Sequence, residues 1–242
     1  MMSNIVWSVD VEEDLHTGKH GGIVLGLRRF EKICDRKKVR PVLFVVGTLV
    51  KKHKSLLRRL HRKGWEISCH GYSHSRMDDL SSSEKRKELE RCVAVWKKEL
   101  GFSPKGFRAP QHSIDGETLD LLAELGFRYD SSKTPLNVLQ LLFFPSRLGN
   151  WLGHFFSWPW RHRIRPGLVE RPVVGLGIPP VSLFVRIFPV WLVRAYFGFL
   201  GLMFSEVVFY AHSWDFIEMK ASGVDRRWSY KLLLRKLEKV MR

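Results

Sequence analysis

Cysteine is scarce in this 242-residue sequence, which contains only three cysteines. Cys34, Cys69 and Cys92 form an odd, scattered set, and no two of them have Cys-x-x-Cys spacing. This pattern is typical of reduced thiols and argues against a disulfide framework. The first ten residues also lack the basic start and the apolar core of a secretory signal peptide. We therefore expect a cytoplasmic protein.

Acidic residues are also few: 24 aspartates and glutamates stand against 41 lysines and arginines, and the formal net charge is +17. So large a positive charge usually indicates an anionic partner such as phosphate, nucleic acid or anionic lipid. No Gly/Ser linker, internal repeat or low-complexity tract interrupts the chain. With 45% hydrophobic and 27% charged residues, the composition predicts a single globular domain over residues 1–242.

Segments with strand and helix patterns alternate along the chain. The predicted strands cover residues 5–11, 41–46, 65–70, 106–108, 169–174 and 207–211. The predicted helices cover residues 22–35, 51–63, 81–100, 115–126 and 229–240; the third begins with a capping box, Ser81 to Glu84. Repeated strand–helix units predict an α/β fold with a parallel sheet, related to the (β/α) barrels.

Polar side chains stand where four of the predicted strands end, at Asp10, His70, Arg108 and His212. In a parallel barrel the carboxyl ends of the strands meet at one face, and the chemistry is found there. His74 follows His70 by four residues, so both imidazoles can bind one divalent metal through neutral ring nitrogens. Alone, such a pair is equally compatible with two surface histidines.

Five segments in order give the chain a more specific resemblance. They are residues 8–13 (SVDVEE), 70–74 (HGYSH), 106–110 (GFRAP), 126–132 (GFRYDSS) and 210–215 (YAHSWD). Together they resemble the polysaccharide deacetylase family, that is, carbohydrate esterase family four and its nodulation-deacetylase-like group. The resemblance implies a distorted (β/α) barrel and metal-dependent hydrolysis of an N-acyl or O-acyl group on a sugar.

The first motif departs from the family pattern, which has two adjacent aspartates. Here Asp10 is followed by Val11 and then Glu12. Because residues i and i+2 of a strand share a face, Asp10 and Glu12 can both point into the site while Val11 packs into the barrel wall. The resemblance then implies Glu12, His70 and His74 as the metal ligands and Asp10 as the general base. Exchange of the roles of Asp10 and Glu12 stays open.

The resemblance implies further roles around this centre. Arg108 is expected to pair with Asp10 and orient it, and His212 to protonate the leaving amine. Asp215 and Asp130 are alternative partners of His212, with Asp130 equally compatible with a turn cap beside Ser131 and Ser132. The remaining candidates beside the site or substrate are Pro110, His112 and Trp214, the last either a pocket wall or a core residue.

The expected cofactor is one divalent metal. Two-His, one-carboxylate sites accept zinc, cobalt, manganese or iron, and zinc is our default. The expected reaction removes an acetyl group from an amino sugar in a glycan or lipid-linked sugar precursor. Removal of a formyl group is the close alternative. A non-catalytic barrel that binds membrane or nucleic acid is the alternative from another class, although no nucleic-acid motif is visible and we expect no nucleic-acid partner.

An apolar and basic insertion over residues 136–205 is unusual. Residues 131–205 contain eight lysines and arginines but one acid, Glu170. The apolar stretch 181–204 includes Arg186, Pro189 and Arg194, which argues against a membrane span. Either barrel helices bury these residues, or tryptophans and arginines dock on an anionic membrane that presents a lipid-linked sugar. The positive charge also suits the diphosphate of a nucleotide-linked sugar.

Overall fold

The computed structural model describes residues 4–138, 148–219, 223 and 227–241. Within these residues the strands are β1 Ile5–Val11, β2 Val42–Val45, β3 Glu66–Cys69, β4 Gly106–Phe107, β5 Tyr129–Asp130, β6 His162–Arg165, β7 Leu168–Glu170 and β8 Val207–His212. The helices are α1 Leu27–Lys37, α2 Gly47–Arg62, α3 Ser82–Leu100, α4 Gly116–Glu124, α5 Leu148–Phe155, α6 Ser182–Ile187, α7 Val190–Met203 and α8 Tyr230–Val240. A turn of π-helix, Gly22–Gly26, leads directly into α1.

All eight strands belong to one sheet with the order β6-β7-β5-β4-β3-β2-β1-β8. Neighbouring strands are parallel except β6 and β7, which are antiparallel. Arg108 follows β4, yet it hydrogen-bonds Asp10 of β1, three strands away. In a flat sheet three strand spacings separate such residues by about 14 Å. The sheet is therefore strongly curled.

The curl brings the two ends of the sheet together. Arg171, directly after β7, donates two hydrogen bonds of 2.8 and 2.7 Å to Glu206, directly before β8. Helices cover the outside of this curved sheet, and residues of β1 such as Trp7, Val9 and Val11 pack into the core beneath them. The expected distorted (β/α) barrel is confirmed.

Alternation along β1 sorts its side chains between two environments. Val11 joins the apolar core outside the sheet, whereas Asp10 and Glu12 are buried on the inner side with Ser8. The pleat of a strand requires this arrangement, since successive side chains point to opposite faces. The inserted Val11 therefore does not break the polar inner row.

Several predicted boundaries were wrong in the second half of the chain. The strand predicted over residues 169–174 is only Leu168–Glu170, and β5 and β6 were not predicted. β5 has two residues, too few to show a period of two, and β6 (HRIR) lies at the sheet edge, where polar residues are tolerated. Residues 139–147 of the predicted insertion lie outside the described residues.

The arginines of the apolar stretch bond to neighbouring parts of the chain. Arg186 is buried and donates to the Asp215 and Trp228 carbonyl oxygens, as the alternative of burial by barrel helices predicts. Arg194 donates to the Lys239 carbonyl of α8. Both side chains thus fasten the insertion to the barrel. Among the described helices, none combines the length and the apolar composition needed to cross a bilayer.

Candidate active site

The ends of β1 and β3 bring three potential metal ligands together. One ligand atom from each of Glu12, His70 and His74 lies within 4.8 Å of the other two. The closest pair is Nε2 of His74 and Oε2 of Glu12, 2.5 Å apart. Burial alone would raise the pKa of Glu12, but the hydrogen bond from His74 and the surrounding imidazoles outweigh it and lower that pKa. The carboxylate is therefore ionised at neutral pH, as a metal ligand must be.

The imidazole of His70 is held in one orientation. Its Nδ1 donates to the Arg108 carbonyl oxygen over 2.8 Å, which leaves Nε2 facing the inner polar row, 3.4 Å from Oδ2 of Asp10. Burial, with the neighbouring His74, lowers the pKa of His70 to about 3. A neutral ring with one nitrogen fixed by a carbonyl is the form in which histidine binds a metal.

A tight loop turns His74 back toward His70. Gly71 has φ +73°, and an added Cβ there would lie 3.1 Å from Cγ of Pro110, so this position requires glycine. His74 itself has φ +65°. The buried carboxylate of Glu88 on α3 accepts hydrogen bonds from the backbone N–H of Tyr72 (2.8 Å) and from the backbone N–H and hydroxyl of Ser73 (2.6 and 2.8 Å).

Glu88 was missed in the sequence, although one signal was present. It stands between Lys85 and Leu89 on the buried face of α3. An acid on such a face usually has buried donors to satisfy. Its partners here are the residues between the two histidines, so Glu88 shapes the loop that carries His74.

Asp10 has a charged partner of its own. Nη1 of the fully buried Arg108 donates to Oδ1 of Asp10 over 2.8 Å and to the Ser8 hydroxyl over 3.0 Å. The guanidinium also lies 4.1 Å from the centre of the Phe44 ring and bonds the carbonyl and hydroxyl of Ser131. The structure thus places Arg108 in the expected pair with Asp10.

His212 lies across the site at the end of β8. Its Nε2 is 3.3 Å from Oε1 of Glu12 and 2.6 Å from the hydroxyl of Tyr210. Burial opposes protonation of this ring, but the carboxylates of Asp215, Glu12 and Asp10 together raise the pKa of His212 above its usual value. The ring is therefore well suited to hold a proton near neutral pH. Tyr210 was not predicted from the sequence.

Asp215 is the carboxylate on the Nδ1 side of the His212 ring. Its Oδ2 accepts the backbone N–H of His212 over 2.9 Å and lies 3.8 Å from Nδ1. The same oxygen accepts a hydrogen bond from Ser182 (2.7 Å), and Oδ1 of Asp215 accepts one from Arg186 (3.2 Å); both donors belong to α6. Trp214 stacks on the His212 ring with centroids 4.3 Å apart and planes 8° apart. Trp214 is therefore both a buried residue and part of the wall of the site.

Asp130, the alternative partner of His212, has a different role. Its carboxylate accepts the hydroxyl (2.6 Å) and the backbone N–H (3.1 Å) of Ser132, and burial raises its pKa beside Glu170. The Ser132 hydroxyl in turn accepts the backbone N–H of Ala109 over 2.8 Å. Asp130 therefore caps a turn and supports the segment after Arg108, which agrees with the turn-cap alternative and not with a partnership with His212.

The segment after Arg108 places two more predicted residues. Pro110 is buried against Gly71, and Nδ1 of His112 donates to the Ser132 carbonyl over 3.0 Å. Gln111 and His112 have φ of +52° and +57°, a strained pair that persists only where surrounding contacts hold it. Burial, together with Arg108, lowers the pKa of His112 to about 3, so this ring is neutral.

Two cavities flank the centre. One, of about 400 Å³, opens beside the potential ligands and is lined by Glu12, Glu13, Val46, Thr48, Ser73, His74 and Gln111. The other, of about 260 Å³, lies beyond His212 and is mostly apolar. Its lining includes Leu15, Val181, Leu183, Trp214 and Met219. A substrate can therefore meet a polar surface on one side of the centre and an apolar one on the other.

Comparison with known sequences relates part of the chain to one family. The profile described as polysaccharide deacetylase matches residues 26–129, which include His70, His74 and Arg108. A peptidoglycan deacetylase-like protein from Gibberella zeae is 32% identical over 121 residues, covering 49% of this chain. These matches relate residues 26–129 of this chain to the polysaccharide deacetylase family. The matched stretch is 36% of the length of the Gibberella protein, so that protein's activity is not transferred to this chain directly.

Solved structures extend the comparison to nearly the whole chain. A Mycobacterium smegmatis protein assigned to the polysaccharide deacetylases covers 98% of this chain and 83% of its own, with a TM-score of 0.66 and 22% identity. A PuuE allantoinase covers 97% and 83%, with a TM-score of 0.62 and 14% identity. At such identities the similarity establishes the fold alone. The reaction has to be argued from the site.

Proposed function

We propose that this chain is a polysaccharide deacetylase, a metal-dependent hydrolase that removes the acetyl group from an N-acetylated amino sugar. The observation that carries the proposal is the convergence of the Glu12, His70 and His74 ligand atoms within 4.8 Å. Asp10 and His212 lie on either side of this cluster, at distances of 3.4 Å from His70 and 3.3 Å from Glu12. With a bound metal, these side chains would supply the groups that amide hydrolysis needs.

The donor set fits a catalytic divalent metal. Two imidazoles and one carboxylate leave coordination positions free, and they are compatible with zinc, cobalt, manganese or iron, with zinc as our default. When bound, such a metal supplies Lewis acidity and lowers the pKa of its water. Glu12, His70 and His74 would hold it. His70 is already oriented by its hydrogen bond to the Arg108 carbonyl.

The protein's own groups then account for the proton transfers. Asp10 accepts the proton of the attacking water, and its bond to Arg108 fixes the carboxylate in position for this task. His212 donates a proton to the leaving amine, and the facing carboxylate of Asp215 favours the protonated ring. Trp214 limits rotation of the ring by stacking on it.

The substrate class rests on weaker support than the reaction. The Gibberella relative is named for peptidoglycan, a polymer containing amino sugars, and we propose an amino-sugar glycan or its lipid- or nucleotide-linked precursor for this chain. Acetyl is the default acyl group. Formyl is the alternative, and identification of the released acid as acetate or formate distinguishes the two.

Metal content and turnover test the proposal together. The purified protein is dialysed against metal-free buffer, analysed by plasma mass spectrometry and assayed for acid release from N-acetylated sugar oligomers. We expect about one divalent ion per chain. His70→Ala should lose both metal and turnover. His61→Ala, which changes an exposed histidine on α2, should keep both.

Absence of a stoichiometric metal, with no turnover after zinc, cobalt or manganese is added, would contradict the proposal and favour a non-catalytic barrel. Equal metal content in wild type and His70→Ala would place the metal elsewhere and contradict the assigned ligands.

A further inference from the structure

Helix α7 is apolar on both of its faces. Its sequence, VWLVRAYFGFLGLM, contains one charged residue, Arg194, whose guanidinium is occupied by the Lys239 carbonyl. Val193, Phe197 and Leu200 face the core. The opposite side is exposed and equally apolar: Trp191 is 70%, Phe199 49% and Leu202 86% exposed. A surface helix normally has a polar outer face.

The apolar stripe continues past the end of α7. Trp160 donates from its indole nitrogen to the Met203 carbonyl over 3.0 Å and stands with its ring 5.6 Å from that of Phe204. Trp158 lies beside it, with ring centroids 5.0 Å apart, and is itself 60% exposed. We call the surface formed by Trp158, Trp160, Trp191, Phe199, Leu202 and Met203 the aromatic face.

Basic residues border the aromatic face on two sides. Arg161 and Arg163 follow Trp160 and are both exposed, Arg161 directly before the edge strand β6 and Arg163 on it. On the other side α8 packs against α7, and its exposed Lys231, Arg235 and Lys239 recur every four residues. The acids of the neighbouring elements are buried or paired: Glu170 of β7 is buried, Glu206 pairs with Arg171, and Glu238 of α8 pairs with Arg36.

The aromatic face runs from the active-site end of the barrel to the opposite end. α7 leads into β8, whose last residue is His212, so the helix runs back along the barrel, with its first residues nearest the site. α6, directly before it, lines the apolar cavity beside His212 through Ser182, Leu183 and Arg186. With 14 residues, α7 is about 21 Å long. A flat surface laid against this helix therefore borders the mouth of the site.

We propose that the aromatic face docks the protein on an anionic lipid bilayer, with the barrel axis along the membrane and the active-site mouth at its surface. Aromatic and aliphatic side chains enter the interfacial region while the two basic borders meet lipid phosphates. A second copy of the chain fits this face poorly, because a symmetric contact would oppose basic borders of equal sign. The docking deepens the proposed function by favouring a lipid-carried amino sugar as substrate.

Vesicle co-sedimentation tests the docking without any need for catalysis. Wild-type protein is mixed with phosphatidylcholine vesicles that contain or lack phosphatidylglycerol. We expect binding to the anionic vesicles and little to the neutral ones. Phe199→Gln/Leu202→Gln should weaken binding about tenfold or more, since two inserted side chains are lost. Val24→Gln/Leu25→Gln changes two exposed apolar residues outside the face and should bind like wild type.

The basic border is tested separately. Arg161→Glu/Arg163→Glu should abolish the preference for phosphatidylglycerol, whereas Lys97→Glu/Lys98→Glu on exposed α3 positions should retain it. Circular dichroism and size-exclusion chromatography check that each variant is folded. Equal binding by wild type and Phe199→Gln/Leu202→Gln would overturn the proposal. So would a dimer that dissociates in this variant, which would assign the face to a second copy.

Failure of docking and failure of the proposed function have different signatures. Turnover of a water-soluble amino sugar without vesicle binding overturns the docking alone. Vesicle binding that survives His70→Ala, in a protein with no turnover on any N-acyl sugar, supports the docking and contradicts the hydrolase.

Discussion

Nη1 of Arg108 donates to Oδ1 of Asp10 over 2.8 Å, and both side chains are buried between the inner faces of strands that lie three places apart in the sheet. The pair therefore depends on the curl of the barrel and also helps to maintain it. Arg108 bonds Ser8 and Ser131 as well, so it joins β1 to the segment after β5. The guanidinium of Arg108 thus both stabilises the curled sheet and orients the proposed base, Asp10.

Arg108→Met should destabilise the protein by about 3–5 kcal/mol, because removal of one partner leaves the other charge buried without compensation. Arg108→Met/Asp10→Asn should recover part of this loss, since the uncompensated charge is then removed as well. Urea denaturation measures both, with Arg128→Met at an exposed position as the control. Equal stability of the single and the double variant would contradict a charge-based role.

Asp10 and Glu12 should separate metal binding from turnover. Asp10→Asn keeps the shape of the side chain but cannot accept the proton of water, so we expect metal to be retained and turnover to be lost. Glu12→Gln should lose metal, because a neutral amide replaces an ionised ligand. Plasma mass spectrometry and acid-release assays on both variants decide the assignment. Metal loss in Asp10→Asn with retention in Glu12→Gln would exchange the two roles.

Glu88 should control metal affinity without touching the metal. Glu88→Ala removes the acceptor for three hydrogen bonds that hold the loop before His74, and changes of this kind typically cost about 10- to 100-fold in metal affinity. Glu88→Gln keeps one acceptor oxygen and should restore most of it. Competition with a chromophoric chelator measures the affinity. Glu90→Ala, an exposed glutamate on the same helix, should bind metal like wild type.

The sequence was sufficient to locate the centre of the site because strand periodicity and strand ends are local properties. Asp10, His70, Arg108 and His212 each end a recognisable apolar segment, and parallel strands of a barrel end at one face. The curled sheet itself follows from repeated strand–helix units. The two-residue β5 and the polar edge strand β6 were not found, because neither shows the periodicity of apolar residues on which the prediction depends.

The supporting contacts could not be predicted because they depend on distances between segments far apart in the chain. Glu88 reaches Ser73 from 15 residues away, and Arg186 reaches Asp215 from 29. Asp130 illustrates the limit most clearly. Its spacing from Ser132 and its place in a family-like motif were both visible, but only the fold decides that it faces Ser132 rather than His212.

Tyr210 should influence the protonation or position of His212. Tyr210→Phe removes only the hydroxyl that lies 2.6 Å from Nε2 of His212. Loss of one hydrogen bond to a charged ring, about 1.5–3 kcal/mol, corresponds to about 10- to 100-fold in turnover. Steady-state kinetics should show the change in kcat rather than in KM, with metal content unchanged. Wild-type kcat in Tyr210→Phe would contradict the role of the hydroxyl.

Stability should fall in acid partly through Glu31. Hydrogen bonds from Arg59 outweigh burial and, with Lys63, lower the pKa of Glu31 to about 2, against 4.5 for the unperturbed group. Since the folded-state pKa is depressed, the stabilisation is fully present above pH 4.5 and is lost as the pH falls toward 2. Urea denaturation across this interval should therefore show a smaller loss of stability for Glu31→Gln than for wild type, because the variant has no proton to gain at this site. Glu90→Gln, at an exposed position, should follow the wild-type pH dependence. Parallel pH profiles for wild type and Glu31→Gln would assign the acid sensitivity to other carboxylates.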